Sequence, residues 1–374
     1  MDKELLYNLN IMIKPISSDC NIDCKYCFYK DEAINRTNKS YGPMSYDTLE
    51  NLVKNAFSSV GNNISFLFQG GEPTLRGIDF FEQFHKFVNK YNTNDISVNF
   101  SIQTNGIILD DAWINLFRKY NYLVGISLDG TKDCHDYYRT DHYGKGTFSR
   151  VMKNIKLLMK EGISLNILTV VNDNTCDYAE EIYNFYKKNN FYFLQFIPVI
   201  NPLSKNYSKN YRLDPLKYGM FLDRLFNIRY RDILNGNFRS IRYYENLLMI
   251  ILGQHPESCD TLGHCSINPI VESDGKVYPC DFYCLDQEEI GNINHNSIID
   301  IISSNKANIF LSQSYKIADT CKECKYVQLC KGGCKRYKNT NLENELCSGF
   351  YYFFKNNYEK LIGLADYIKK IQFS

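Results

Sequence analysis

Three cysteines, Cys20, Cys24 and Cys27, stand close together in SSDCNIDCKYCFYK, residues 17–30. Thiolates are soft ligands that suit zinc or iron–sulfur clusters. Structural zinc closes its shell with four ligands, whereas a 4Fe–4S cluster held by three cysteines leaves one iron open to another molecule. A zinc loop with a distant fourth thiol is the competing reading. A second concentration lies downstream: Cys259, Cys265, Gly275 and Cys280, then Cys321, Cys324, Cys330 and Cys334, and finally Cys347. Local spacing alone groups Cys321, Cys324, Cys330 and Cys334, and the CxxC pieces also suit a zinc ribbon.

Other residues could assist such a centre. In FQGGEPTL, Gly70 and Gly71 let backbone approach a ligand and leave amides free for a carboxylate, while Glu72, followed by Pro73, offers an acceptor for an ammonium group. Taken alone, the glycine pair is equally a tight turn. Ser127 in VGISLDG reads as a strand-end hydroxyl, and Arg139 in HDYYRTD as a solvated charge, unless a ligand claims them. Asp281 directly follows Cys280 in YPCDFY. There a carboxylate either takes a proton or orients the ligand loop by hydrogen bonding. Gln69, Gln103 and Asn105 stand at strand ends, where they contact peptide backbone or cap turns. His85, His142, His255, His264 and His295 fall in an amphipathic helix or in polar stretches and read as packed or solvated. Cys134, Cys176 and Cys284 fit no spacing pattern and read as small core side chains.

The elements that must position these groups are legible as short apolar runs alternating with amphipathic stretches. The runs Asn10–Ile13, Ile64–Gln69, Ser97–Gln103, Leu123–Leu128, Leu165–Val171 and Phe191–Ile197 predict strands. Helices are expected between them, for example Tyr46–Phe57, with Leu49, Leu52, Val53, Ala56 and Phe57 on one face and Ser45 as N-cap, and Ile78–Tyr91. About six right-handed parallel βαβ units follow, and ligands gather at the carboxyl ends of such strands. After residue 205 the rhythm changes. The polar NPLSKNYSKNYRLDP leads into a helix near Leu216–Leu234, a cysteine-dense region held by metal follows Gly253, and Tyr351–Ile371 predicts a closing helix. The division expected is 1–205, 206–254, 255–350 and 351–374.

The chain has 374 residues, 44% of them hydrophobic, and 43 basic against 42 acidic side chains. A formal charge of +1 provides no global field for nucleic acid or an anionic membrane. MDKELLYNLNIMIKP carries neither a signal peptide nor a membrane span, so a cytoplasmic location with reduced thiols is expected.

The CxxxCxxC loop after the first strand, with Tyr26 before its last cysteine, resembles the radical S-adenosylmethionine (SAM) superfamily. The cysteine-rich tail resembles the SPASM extension of enzymes that modify peptides and proteins. The resemblance implies an α/β fold: a partial (β/α)6 barrel, a small cysteine-rich SPASM domain and a C-terminal helix. It also implies that Cys20, Cys24 and Cys27 hold a 4Fe–4S cluster whose open iron chelates SAM. Tyr26, Gly70, Gly71, Glu72, Ser127, Arg139 and Ile200 are implied as SAM contacts. Eight thiolates suffice to close two further clusters. The family crosses the sets, implying Cys259, Cys265, Cys280 and Cys334 on one and Cys321, Cys324, Cys330 and Cys347 on the other.

Over essentially the whole chain the sequence is similar to the anaerobic sulfatase-maturating enzymes, notably in IKPISSDCNIDCKYCFYK, SFLFQGGEPTL, SIQTNG, LVGISLDG, FLQFI, SIRYYENLL, VESDGKVYPCDFY and CKGGCKR. That resemblance implies oxidation of a cysteine or serine of a sulfatase polypeptide to Cα-formylglycine. Asp281 is implied as general base, the auxiliary clusters as electron acceptors, and a flavodoxin or ferredoxin as external donor. The segment between Cys334 and Cys347 is short for the family, and residues 198–201 differ in detail. The alternative is a SPASM maturase of a ribosomally made peptide. Such proteins often carry an N-terminal leader-binding domain, for which a first strand starting near residue 9 is expected to leave no room.

Overall fold

A computed structural model describes residues 5–203 and 212–372. Most of the lysine- and asparagine-rich stretch that opens the expected linker lies outside the described residues. Six strands, β1 (Leu6–Ile13), β2 (Val60–Phe68), β3 (Ser97–Thr104), β4 (Leu123–Ser127), β5 (Ser164–Val171) and β6 (Phe193–Pro198), run parallel and lie side by side in chain order. β1 and β6 do not pair, so the sheet is open, as a partial barrel requires.

The expected helices form because their apolar positions share a face. In Tyr46–Ser59, Leu49, Leu52, Val53 and Ala56 are fully buried, and Ser45 accepts the Thr48 N–H as N-cap. Helix Ile78–Tyr91 sends Phe81 and Phe84 against Phe66 and Phe68 of β2, at about 5 Å: Phe84 meets both rings edge to face, and Phe81 meets Phe68 at a tilt.

The sheet does not stop at the six strands. Ser240–Ile241 (β7) pairs with β6, so the segment expected as a helical linker also supplies an edge strand between helices Pro215–Leu234 and Arg242–Ile251. On the other edge, Ile270–Val271 (β8) pairs with β1 in parallel. Lys276–Tyr278 (β9) and Gly291–Asn292 (β10) extend it antiparallel. The cysteine-rich half is therefore built partly onto β1, and this brings Glu272 and Asp281 to the carboxyl end of that strand. Helix Cys347–Gln372 packs on helix Pro215–Leu234, where Gly349 meets Pro215 and Gly219 backbone to backbone and leaves no room for a side chain. Among the described residues no helix is long and apolar enough to cross a membrane.

Candidate active site

The first cysteine loop leaves the carboxyl end of β1 and folds into a two-strand ribbon. Ile22–Cys24 pairs antiparallel with Arg139–Asp141, which sets Cys24 opposite Arg139. Cys27 directly precedes helix Phe28–Ile34, and its carbonyl accepts from the Lys30 and Asp31 amides. Arg139 is a buried residue, not a solvated charge. Its Nε donates to Asp129 at 2.9 Å and its Nη1 faces Cys24 Sγ at 3.8 Å. Tyr26 donates to the same Asp129 carboxylate, so the aromatic of the motif is fastened to the end of β4.

On the other side Asn105 Nδ2 faces Cys20 Sγ at 3.7 Å and donates to Asn21 at 2.7 Å. Burial pushes the Cys20 thiol up to about 12 and raises Cys24 and Cys27 as well, while Arg139 opposes the rise at the latter two. The three thiols also raise one another, so they are close neighbours. Buried thiols of this kind ionise when a soft metal takes the proton's place, and Arg139 offers countercharge. The donor set fits an iron–sulfur cluster.

Gly70 and Gly71 have left-handed φ of 99° and 55°. A Cβ on Gly70 would come within 2.6 Å of the Lys14 side chain, and one on Gly71 would overlap the Asp19 carbonyl oxygen. The pair therefore lets the loop after β2 press onto the cysteine loop. Glu72 is buried and both its oxygens are engaged: Thr74 N–H, Thr74 hydroxyl and Thr104 hydroxyl donate to Oε1, and the Asn105 amide donates to Oε2 at 2.7 Å. Its carboxylate thus clasps the end of β3, while its own N–H donates to the Asp19 carbonyl at 2.8 Å and its carbonyl accepts from the Leu75 amide at 3.0 Å. Ser127 Oγ accepts from Gln103 at 3.0 Å at the ends of β3 and β4. Ile200 is buried just beyond β6, where Tyr337 donates to the Pro198 carbonyl at 2.6 Å and Arg336 to the Asn201 carbonyl at 2.7 Å.

Asp281 lies in the turn after β9 and reaches across to the first cysteine loop. Tyr29, two residues after Cys27, donates to its Oδ2 at 2.6 Å, and Gln69 Nε2 contacts the same oxygen at 3.2 Å. Gln69 also donates to Tyr29 Oη at 2.7 Å. Asp281 Oδ1 is buried with no hydrogen-bond partner among the described residues. Burial raises the proton affinity of Asp281, while Lys14 and the Tyr29 hydroxyl act against the rise.

Lys14, Tyr29, Glu32 and Glu272 lie near this carboxylate, with Arg36 bonded to Glu272, and none of them was singled out from the sequence. Each is a common residue type, and they converge only because β8 pairs with β1. Glu272 accepts from Arg36 at 2.8 Å, and Lys14 and Arg36 hold its carboxyl below the usual range against the effect of burial.

The downstream cysteines gather in two sets. Cys334 is influenced by Cys259 and Cys265, and Cys280 by Cys334 and Cys259. Cys330 and Cys347 are influenced by Cys321 and Cys324. Among the described residues no three Cys, His, Asp or Glu side chains converge tightly enough for a single metal ion. Eight sulfur donors in two fours suit clusters of several irons.

Cys134, Cys176 and Cys284 are buried. His85 is packed, stacked on Tyr120 and bonded to Tyr122, whereas His142 is exposed and contacts the Cys20 carbonyl at 3.0 Å.

Residues 15–186 match the radical SAM superfamily, and residues 262–325 match an iron–sulfur cluster-binding domain named SPASM. A cysteine-type anaerobic sulfatase-maturating enzyme of Clostridium novyi is 47% identical, with 96% of this chain and 97% of that protein covered. One of Clostridium perfringens is 41% identical, with 96% and 99% covered. The solved structure of native anSMEcpe with bound AdoMet and Cp18Cys peptide superposes with a TM-score of 0.92 at 41% identity, covering 96% of this chain and 99% of that one. With this agreement along nearly its whole length, the chain belongs to the anaerobic sulfatase-maturating enzymes of the radical SAM superfamily.

Proposed function

We propose that the chain oxidises a cysteine side chain of a sulfatase to Cα-formylglycine, with Asp281 as general base. The relatives named above are cysteine-type, which favours cysteine over serine as the target. Cys20, Cys24 and Cys27 would hold the cluster that binds SAM, with Tyr26, Gly70, Gly71, Glu72, Ser127, Arg139 and Ile200 around the cofactor. Cys259, Cys265, Cys280 and Cys334 would hold one auxiliary 4Fe–4S cluster, and Cys321, Cys324, Cys330 and Cys347 the other. When bound, SAM and its cluster would supply the 5′-deoxyadenosyl radical that removes a Cβ hydrogen, the auxiliary clusters would accept the second electron, and an external flavodoxin or ferredoxin would serve as electron donor.

The protein's own part is the proton. Losing hydrogen from Cβ and one electron yields a thioaldehyde only if the thiol proton also leaves, and water then converts the thioaldehyde to the aldehyde with release of hydrogen sulfide. The observation that carries this reading is Asp281: Oδ2 is fixed by Tyr29 and Gln69, and Oδ1 is buried and without a hydrogen-bond partner among the described residues. A fixed carboxylate with one free oxygen is suited to accept a proton at a defined point.

Anaerobic incubation of the reconstituted protein with SAM, reductant and paired cysteine-type and serine-type sulfatase peptides tests the reading. Mass spectrometry should show formylglycine on the cysteine peptide together with 5′-deoxyadenosine. An unchanged peptide beside accumulating deoxyadenosine would point instead to another peptide substrate.

A further inference from the structure

β6 ends at Pro198, where the Val199 amide closes the pairing with a 2.8 Å bond to the Val171 carbonyl of β5. The chain then leaves the sheet, yet residues 198–203 are pinned from outside it. Tyr337 Oη donates to the Pro198 carbonyl at 2.6 Å, Arg336 Nη2 to the Asn201 carbonyl at 2.7 Å, and Asn201 Nδ2 to Glu345 Oε2 at 2.6 Å. From the other side, the Asp31 carboxylate of helix Phe28–Ile34 accepts the Leu203 N–H at 2.6 Å. Tyr337, Arg336 and Glu345 all lie in the stretch between Cys334 and Cys347, so the cysteine-rich half grips the end of β6 as well as pairing with β1.

That grip is itself anchored. The Tyr337 amide donates to the Cys334 carbonyl at 3.1 Å, and the Glu345 amide to the Tyr337 carbonyl at 2.8 Å. What it carries inward is Val199 and Ile200, both buried, and Val199 packs with Ile22, Cys24, Tyr26 and Tyr138 around the first cysteine loop. A segment beyond the end of a strand has no ladder to hold it and opens at low cost, so its side-chain bonds decide how fully it is formed. A ligand that needs the segment formed binds more weakly in proportion to the fraction that is not.

We infer that Tyr337 and Arg336 are positioning residues for SAM: they fix residues 199–201 beside the first cysteine loop and so set cofactor affinity from the cysteine-rich half of the chain. This rests on the reading that Ile200 borders SAM. Neither side chain is asked to touch the cofactor, and each acts through the backbone carbonyl it holds.

The test uses the anaerobically reconstituted protein without reductant, with SAM affinity measured by equilibrium dialysis and iron counted in the same samples. Tyr337→Phe removes one hydroxyl and keeps the ring, so the Kd for SAM should rise by about three- to tenfold with iron unchanged. Arg336→Met should raise it by about tenfold, and Arg336→Lys, which keeps a donor, should recover part of that. In turnover with a target-cysteine peptide, the KM for SAM should rise in Tyr337→Phe while kcat at saturating SAM stays near the unmutated value. In the unmutated protein, SAM should slow amide hydrogen exchange across residues 199–203 and 336–345 together.

An unchanged Kd in either Tyr337→Phe or Arg336→Met would overturn the inference. So would protection by SAM that reaches residues 199–203 but not 336–345, a measurement that needs no variant to fold. Loss of about four irons in Tyr337→Phe would overturn it too, by assigning the hydroxyl to the neighbouring cluster. Ile200→Ala tells the clasp from the pocket. If Ile200→Ala weakens SAM binding while Tyr337→Phe does not, the positioning role fails and the cofactor pocket stands. If Ile200→Ala binds SAM as tightly as the unmutated protein, both fall.

Discussion

The Tyr29 hydroxyl donates a 2.6 Å hydrogen bond to the Asp281 carboxylate, 252 residues further along the chain. This contact joins the loop of the first three cysteines to the residue beside Cys280. It also fixes the sign of the Tyr29→Phe effect. A hydrogen bond donated to the charged carboxylate lowers its proton affinity, so removing the bond raises that affinity. Formylglycine formation in Tyr29→Phe should therefore fall by roughly tenfold at neutral pH, with its acid limb displaced to higher pH. The pH dependence of product per deoxyadenosine checks this, and an unshifted limb would contradict it.

Gly71→Ala should disable the first cluster selectively. The added Cβ would overlap the Asp19 carbonyl at a φ of 55°, and the cysteine loop would have to move. Iron should drop from about twelve to about eight per chain, the loss of one four-iron cluster. Gly77→Ala, with a φ of 85° but nothing within 4 Å of the new Cβ, serves as the control and should keep its iron. Iron analysis after reconstitution distinguishes the two.

Arg139→Leu should destabilise the protein by about 3–5 kcal/mol, since it leaves Asp129 buried without its cation. Arg139→Lys keeps a charge but cannot reproduce the planar contact to both Asp129 and Cys24, so it should recover only part of the loss. Denaturant unfolding of the protein measures both.

Acid should weaken the fold well before ordinary carboxylates protonate. Burial depresses His85 to about 3 and His135 to about 4, below the ordinary 6.5. Between those values the unfolded chain binds more protons than the folded one, so stability is full above about 6.5 and falls as pH drops toward 3–4. His85→Phe should flatten part of this decline in denaturant midpoints measured across pH. An identical decline in the variant would contradict the assignment.

Much of this architecture was legible in the sequence because its signals are local. The six parallel strands are runs of Val, Ile, Leu and Phe long enough to stand out, and Ser45 marks its helix plainly. β7, β8, β9 and β10 are only two or three residues long, too short for any periodicity, and their pairing depends on distant partners. Spacing likewise exposed the cysteines, although it does not reveal that Cys259 and Cys265 are near Cys334 in space. Neither the clasp made by Glu72 nor the burial of Arg139 could be read, because Thr104, Asn105 and Asp129 meet them only after the strands align. The set around Asp281 was invisible for the same reason: Arg36 and Glu272 are 236 residues apart.

The most direct test of the account is a single anaerobic turnover experiment on Asp281→Asn with a target-cysteine peptide, scored for both deoxyadenosine and formylglycine. Asp281→Asn keeps the size of the side chain and its contacts to Tyr29 and Gln69 but cannot accept the thiol proton. The account predicts deoxyadenosine at near the unmutated rate with formylglycine reduced by about a hundredfold or more. Formylglycine at the unmutated rate would contradict it.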